Sequence, residues 1–179
     1  MIFFTADTHF CHSNIIDSCQ RPFYNIKEMN ERIIKNWNIS VTNDDEIYIL
    51  GDFLYKGNGI QANNILSRLN GIKYLIKGNH DKYLEEESFN QNYFEWVKDY
   101  YILEYQEMEF VLSHYPILEW DINQIKNKVH LYGHIHNNIL DSEQQSKLKI
   151  FGKKAINVGV DVNNYCPISI EKIISLIKA

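Results

Sequence analysis

Predicted strands that run straight into metal-binding residue types constrain this chain more than any other feature of its sequence. Short apolar runs rich in Ile, Val, Tyr and Phe indicate buried strands, and five of them are each followed by a string containing His, Asp or Asn. Loops at strand ends carry the chemistry of layered α/β proteins, so we expect these strings to meet. The strings are Asp7-Thr8-His9, Gly51-Asp52, Gly78-Asn79-His80-Asp81, His114 and Gly133-His134-Ile135-His136.

Strand and helix patterns alternate along the chain, which predicts an α/β fold with a mixed layered sheet. The predicted strands are residues 2–6, 46–50, 73–77, 129–132 and 155–160, with a hairpin formed by 100–105 and 108–113. The predicted helices are one capped by Asn25 and running through Trp37, one over residues 60–69, and one over 169–178 with Ser169 as its N-cap. The length of 179 residues favours a single domain over residues 1–179.

The composition argues against several other classes of protein. No apolar run reaches the roughly 18 residues of a bilayer-spanning helix, and the first residues lack the pattern of a signal peptide, so we expect a cytoplasmic protein with no membrane partner. A net charge of −5 argues against an extended nucleic-acid groove. The short basic stretches over 147–149 and 153–154 are better explained as a solvated loop. Three cysteines without a CxxC pair predict neither a disulfide framework nor a cysteine zinc site.

The residue types in the strings are those that bind divalent transition metals. Five of the seven histidines lie in them, which scattered surface histidines would not do. Asp7 and His9 are two residues apart, as are His134 and His136, so in extended segments each pair points to one side. Carboxylate, imidazole and amide ligands together favour Mn, Fe or Zn over Ca. The set is too large for one tetrahedral zinc, and it suits two ions that share a carboxylate and clamp a phosphoryl group.

In this order along the chain, the five strings resemble the motifs of the calcineurin-like metallophosphoesterase superfamily. They run from residue 7 to residue 136, and Asn157-Val158-Gly159-Val160-Asp161 is similar to the family's ending. The resemblance implies an α/β fold, a two-layer β-sandwich flanked by helices, with a dinuclear metal site at the strand ends. It also implies two divalent metal ions as cofactors, of which Mn²⁺ is favoured, while Fe, Zn or Ni would also suit the ligands.

The resemblance implies a role for each polar residue of the strings. The first metal ion would be held by Asp7, His9 and His136, and the second by Asn79, His114 and His134. Asp52 would bridge the two ions. His80 would lie over the site, stabilise the transition state and protonate the leaving oxygen, while Asp81 would orient His80.

The stretch from Asp7 to Ile16 is similar to a compact subgroup of small bacterial and phage phosphoesterases that begin D-x-H-F-x-H-x-N-I-I. Members of that subgroup often have Gly where this chain has Cys11, which is either a small half-buried side chain or, less favoured, a soft ligand or redox-sensitive thiol. His12 and Arg21 become candidates for gripping the substrate phosphate, since an arginine fork matches phosphate oxygens. An interpretation without a substrate role has equal weight. In it, Arg21-Pro22-Phe23 forms a structural turn and His12 lies at a helix N-terminus.

Features that this chain lacks argue against two functional classes of the superfamily. Protein Ser/Thr phosphatases of the superfamily carry GDxVDRG and GNHE, whereas this chain has no Arg after Asp52 and has Asp81 in place of Glu. DNA-repair nucleases of the superfamily add a capping domain and a basic groove, whereas this chain has neither the length for such a domain nor the charge for such a groove. A small or nucleotide-type phosphoester remains, and we expect a phosphodiesterase because metal hydroxide together with a protonating His80 suits an alkoxide leaving group. The alternatives are a phosphomonoesterase, a non-catalytic metal-binding scaffold of the same fold, or a domain with one structural zinc. The sequence does not indicate an oligomeric state.

Overall fold

The computed structural model describes residues 1–117, 128–138 and 154–178, so the basic stretch over 147–149 lies outside the described residues. The strands are β1 (Ile2–Thr5), β2 (Glu46–Leu50), β3 (Ile72–Ile76), β4 (Val97–Lys98), β5 (Tyr100–Tyr105), β6 (Met108–Ser113), β7 (Lys128–Tyr132), β8 (Ala155–Asn157) and β9 (Ile168–Ser169). The α-helices are α1 (Ile15–Ser18), α2 (Ile26–Ser40), α3 (Gly59–Leu66) and α4 (Ile170–Lys178). Within these ranges no helix has both the length and the apolar character needed to cross a membrane.

The strands form two sheets whose central strands are parallel. One sheet has the order β4-β3-β2-β1-β9, in which only β9 is antiparallel to its neighbour. The other has the order β5-β6-β7-β8, with an antiparallel β5–β6 hairpin and parallel pairs beyond it. Because parallel strands end at the same edge, the residues that follow β1, β2 and β3 are brought together, and those that follow β6 and β7 likewise.

Alternating side chains of the central strands feed two separate cores. Phe3 and Ile47 pack with the helices, including the fully buried Trp37 of α2. The next residues along each strand, Phe4 and Tyr48, belong to a second apolar cluster that includes residues of β6 and β7. Successive strand side chains point to opposite faces, so one sheet supports a helical layer on one side and the other sheet on the opposite side.

Local sequence explains where two helices begin and where one strand ends. The Asn25 side chain accepts a hydrogen bond from the Glu28 N–H and caps α2, as predicted. Asn58 and Gln61 form a capping box that starts α3. The strand predicted over 155–160 ends at Asn157, because the Asn157 side chain accepts from the Gly159 N–H and turns the chain into a 3₁₀ segment.

Candidate metal centre

The loops that leave β1 and β2 lie side by side beyond the sheet edge. The backbone N–H groups of Asp7 and His9 donate to the carbonyls of Gly51 and Asp52, each at 3.0 Å. The pairing continues as a short parallel bridge at Phe10. The chain therefore places the first ligand string directly against the second, and Asp7, His9 and Asp52 are all buried.

Five of the seven predicted ligands have a left-handed backbone. Their φ angles are 56° at Asp7, 48° at His9, 54° at Asp52, 71° at His134 and 52° at His136. This conformation costs most residues other than Gly, Asn and Asp roughly 1–2 kcal/mol, and it persists only where surrounding contacts enforce it. The expectation that these segments are extended is wrong, since Asp7, His9, His134 and His136 all have positive φ. Asp7 and His9 nevertheless converge on one group of donor atoms, whereas His134 and His136 belong to different groups.

Glycine is required at two positions beside the ligands. Gly51 has a φ of 87°, and a Cβ there would collide with Nδ1 of His114. A Cβ at Gly78 would collide with Oδ1 of Asp52. A side chain at either position would displace a predicted ligand, which explains why glycines precede the ligands in these strings.

The seven predicted metal ligands come together in two adjoining groups. The donor atoms of Asp7, His9 and His136 lie within 4.8 Å of one another, and so do those of Asp52, His114 and His134. Asn79 joins the second group, since its Oδ1 lies 3.1 Å from Nε2 of His114. We call Asp7, His9 and His136 the first half-site, and Asn79, His114 and His134 the second half-site.

Asp52 lies between the two half-sites. Its Oδ2 is 3.3 Å from Nε2 of His9 and 3.5 Å from Nε2 of His114. Its Oδ1 accepts a 2.9 Å hydrogen bond from the backbone N–H of His80, which fixes the carboxylate in this position. One carboxylate oxygen thus faces a histidine of each half-site.

The electrostatics of the buried groups fit divalent cations. Burial raises the pKa of Asp7 to about 7, and burial lowers the pKa of His9 to about 4. For Asp52, burial acts to raise the pKa, but the close imidazoles of His114 and His9 outweigh it and hold the pKa below its ordinary value. Nε2 of His9 is buried and has no hydrogen-bond partner of acceptable geometry among the described residues. A carboxyl group that lacks compensating charge and an imidazole nitrogen that lacks a partner are both satisfied by a bound metal ion.

His80 and Asp81 have different surroundings. The His80 side chain is 37% exposed, and its Nε2 lies 3.9 Å from Oδ2 of Asp52, so it can reach a substrate over the centre. The Asp81 carboxylate instead accepts from the backbone N–H groups of Asp52, Phe53 and Gly78 at 2.8–2.9 Å. The prediction that Asp81 orients His80 is therefore corrected, because both carboxylate oxygens are engaged in joining the β2 and β3 loops.

The two predicted phosphate-gripping residues also differ. Arg21 is 3% exposed, and its guanidinium donates to Asp161, to the carbonyls of Asp7 and Thr8, and to the sulfur of Met29. A substrate role for Arg21 is contradicted, since its guanidinium N–H groups already donate to acceptors within the protein. His12 is partly exposed, with its Nδ1 3.2 Å from Nδ1 of His9 and its ring stacked on Tyr55 at 3.6 Å between centroids. A substrate role for His12 remains a prediction.

Two residues with no role assigned from the sequence belong to the surroundings of the centre. Asp161 lies at the end of the trailing motif, and its Oδ2 accepts a 2.8 Å hydrogen bond from Nδ1 of His136. Tyr115 is 50% exposed, and its hydroxyl donates to Oδ1 of Asn79 at 3.3 Å. The sequence indicates a role for Tyr115 only through its position next to His114. For Asp161, the signal was an acidic residue at the end of the trailing motif.

A cluster of metal-ligand residue types at the strand ends of a two-layer β-sandwich is the arrangement suited to metal-assisted hydrolysis. The family model described as calcineurin-like phosphoesterase matches residues 1–105, which is more than half of the chain. The chain therefore belongs to the calcineurin-like phosphoesterase family, and the predicted family and fold class are confirmed.

The relatives span nearly the whole chain. An uncharacterized protein of Methanocaldococcus jannaschii is 39% identical over 178 residues, covering 99% of this chain and 91% of its own length. The crystal structure of a protein of unknown function from Aquifex aeolicus is 30% identical with a TM-score of 0.76, covering 98% of each chain. Family and ligand groups together support a metal-dependent phosphoesterase.

Proposed function

We propose that this protein hydrolyses a small or nucleotide-type phosphodiester with the help of two divalent metal ions, of which Mn²⁺ is favoured. The proposal rests above all on Asp52, whose Oδ2 faces His9 at 3.3 Å and His114 at 3.5 Å. A carboxylate in that position is suited to bridging two ions. Asp7, His9 and His136 would hold one ion, and Asn79, His114 and His134 the other.

The chain's own residues would divide the work of hydrolysis. When bound, two divalent ions supply hydroxide at neutral pH and neutralise charge on the phosphoryl oxygens. His80 lies beside the bridging carboxylate and is partly exposed, so it is placed to donate a proton to the leaving oxygen. The ring of Tyr55 lies 4.7 Å from that of His80 in an edge-to-face arrangement and restricts the imidazole's position.

The charge around the centre favours a diester over a monoester. A phosphate monoester carries nearly two negative charges at neutral pH, whereas a diester carries one. Within the part of the chain that the structure describes, Arg21 is occupied in the interior, and Lys56 lies next to the site with its Nζ 5.2 Å from the Tyr55 ring centroid. Fewer fixed cations beyond the metal ions suit the less charged substrate.

The test compares two substrates that share one leaving group. Chelator-stripped protein is assayed on bis-p-nitrophenyl phosphate and p-nitrophenyl phosphate, with and without added Mn²⁺, alongside a metal count per chain. We expect manganese-dependent cleavage, faster on the diester, with about two ions bound.

Each alternative function has its own outcome in this assay. Faster cleavage of the monoester would identify a phosphomonoesterase. Two bound ions without cleavage of either compound would favour the non-catalytic scaffold. One tightly bound ion without hydrolysis would favour a structural zinc domain.

A further inference from the structure

The two half-sites hold their histidines with different supporting groups. In the first, Nδ1 of His136 donates to Oδ2 of Asp161 at 2.8 Å, and the Asp161 side chain is 1% exposed. In the second, Nδ1 of His114 donates to the carbonyl oxygen of Leu50 at 2.8 Å. A carboxylate behind a metal-binding histidine fixes its tautomer and increases the basicity of its other nitrogen more than a neutral carbonyl does.

Asp161 is itself held by Arg21 across 140 residues of sequence. Nε and one terminal nitrogen of Arg21 donate to the two oxygens of Asp161 at 2.8 and 2.9 Å. Two further donors reach the carbonyls of Asp7 and Thr8 at 2.8 and 3.0 Å, in the loop that carries two ligands of the first half-site. One guanidinium therefore braces the support of His136 and the Asp7 loop together.

We propose that Asp161 and Arg21 are positioning residues for the first half-site: Asp161 directs Nε2 of His136 to the metal ion, and Arg21 locks Asp161 onto the Asp7 loop. The inference rests on the proposed function only in taking His136 as a metal ligand. It assigns to Arg21 a role in building the metal site in place of one in binding phosphate.

The same atoms do not form a third metal site. Cys19, His136 and Asp161 have donor atoms within 4.8 Å of one another. However, Oδ1 of Asp161 is bound by Arg21, and Oδ2 is shared by Arg21 and His136. A buried carboxylate with these three hydrogen bonds is already satisfied, so the group is a hydrogen-bonded support.

The first test is a metal titration of stripped protein by calorimetry. In Asp161→Asn and Arg21→Lys, we expect the affinity for one of the two ions to fall by about 10–100-fold while the other ion binds as in the wild type. The controls are Glu31→Gln and Arg68→Lys, which alter a two-pronged but exposed ion pair at 2.6–2.8 Å. Unchanged binding of both ions in Asp161→Asn and Arg21→Lys would overturn the proposal. Failure of the wild type to bind metal would instead remove the proposed function.

A second readout separates metal positioning from phosphate binding. At saturating Mn²⁺, the Arg21→Lys variant should retain the wild-type KM for bis-p-nitrophenyl phosphate, because the guanidinium does not reach substrate. A KM raised about tenfold or more with metal affinity unchanged would show that Arg21 grips phosphate, and would overturn the assignment.

A third readout needs no variant and does not depend on whether the substitutions fold. ¹⁵N NMR of the zinc-loaded wild type, with labelled histidine, reports which ring nitrogen of His136 carries the proton. We expect Nδ1 to be protonated and Nε2 to be bound to metal. Metal on Nδ1 would be incompatible with the contact to Asp161 and would overturn the proposal.

Discussion

The two half-sites contain the same number of exclusive ligands but differ in charge and in enclosure. The first includes the buried carboxylate of Asp7 and is supported by a second carboxylate, Asp161, whose own charge is balanced by Arg21. The second has only neutral ligands of its own, is supported by a backbone carbonyl, and includes the exposed Asn79. A cation is held more strongly where more negative charge lies close in a drier environment. The difference therefore predicts a tightly bound ion in the first half-site and a more readily exchanged, more electrophilic ion in the second.

The largest effect should come from removing the carboxylate that both half-sites share. We expect Asp52→Asn to weaken the binding of both ions and to abolish hydrolysis, because the amide supplies no charge and only one acceptor atom. Metal content after dialysis and hydrolysis of bis-p-nitrophenyl phosphate measure the two effects.

Asp44→Asn is the matched control, since Asp44 is exposed in the turn before β2. Full activity of Asp52→Asn would contradict the assignment of Asp52 as the bridge and would leave the two half-sites uncoupled.

A second substitution should leave both half-sites intact and still slow the reaction. We expect His80→Ala to bind two ions with unchanged affinity and to lose about 10²–10⁴ in turnover, the usual contribution of a general acid. His80 is separated from Oδ2 of Asp52 by 3.9 Å and belongs to neither half-site. A loss of bound metal in this variant, measured by elemental analysis, would show that His80 is a ligand and belongs to one of the half-sites.

How much of this centre can be predicted from the sequence depends on how far apart along the chain the contacting residues are. Strand-end motifs are local, so the ligand strings and most strands are predicted from residue types and spacing alone. The partnership of Arg21 with Asp161 joins residues 140 positions apart, and nothing in either neighbourhood specifies it. Asp81 was assigned to His80 because the two are adjacent in sequence, whereas its carboxylate binds backbone N–H groups 28 and 29 residues away. Strands β4 and β9 have two residues each and are defined by their neighbours in the sheet.

A charge added to the second half-site should reduce the difference between the two ions. We expect Asn79→Asp to tighten the weaker ion by at least about tenfold, because a carboxylate replaces a neutral amide near the ion. Turnover should fall at the same time, since added negative charge makes that ion a poorer electrophile. Sequential binding constants from calorimetry give the first effect, and Asn64→Asp, at an exposed position on α3, controls for net charge. Two ions that already bind with equal affinity in the wild type would refute the comparison itself.

The smallest predicted effect concerns strain in the loop of the first half-site. Cys11 has a φ of 66°, two residues after His9 at 48°, so the loop contains a left-handed residue at a position where similar phosphoesterases often have Gly. The left-handed conformation costs a cysteine roughly 1–2 kcal/mol, and the greater chain entropy of glycine in the unfolded state offsets about half of the gain from replacing it. We therefore expect Cys11→Gly to raise the free energy of unfolding by up to about 1 kcal/mol, measured by urea denaturation of the metal-free protein.

Cys166 is also a partly exposed free cysteine, but its φ is not positive, so Cys166→Gly should destabilise the protein. Equal destabilisation in both variants would show that the Cys11 backbone is not strained. The bracing of the first half-site would then come only from contacts such as those of Arg21 and Asp161.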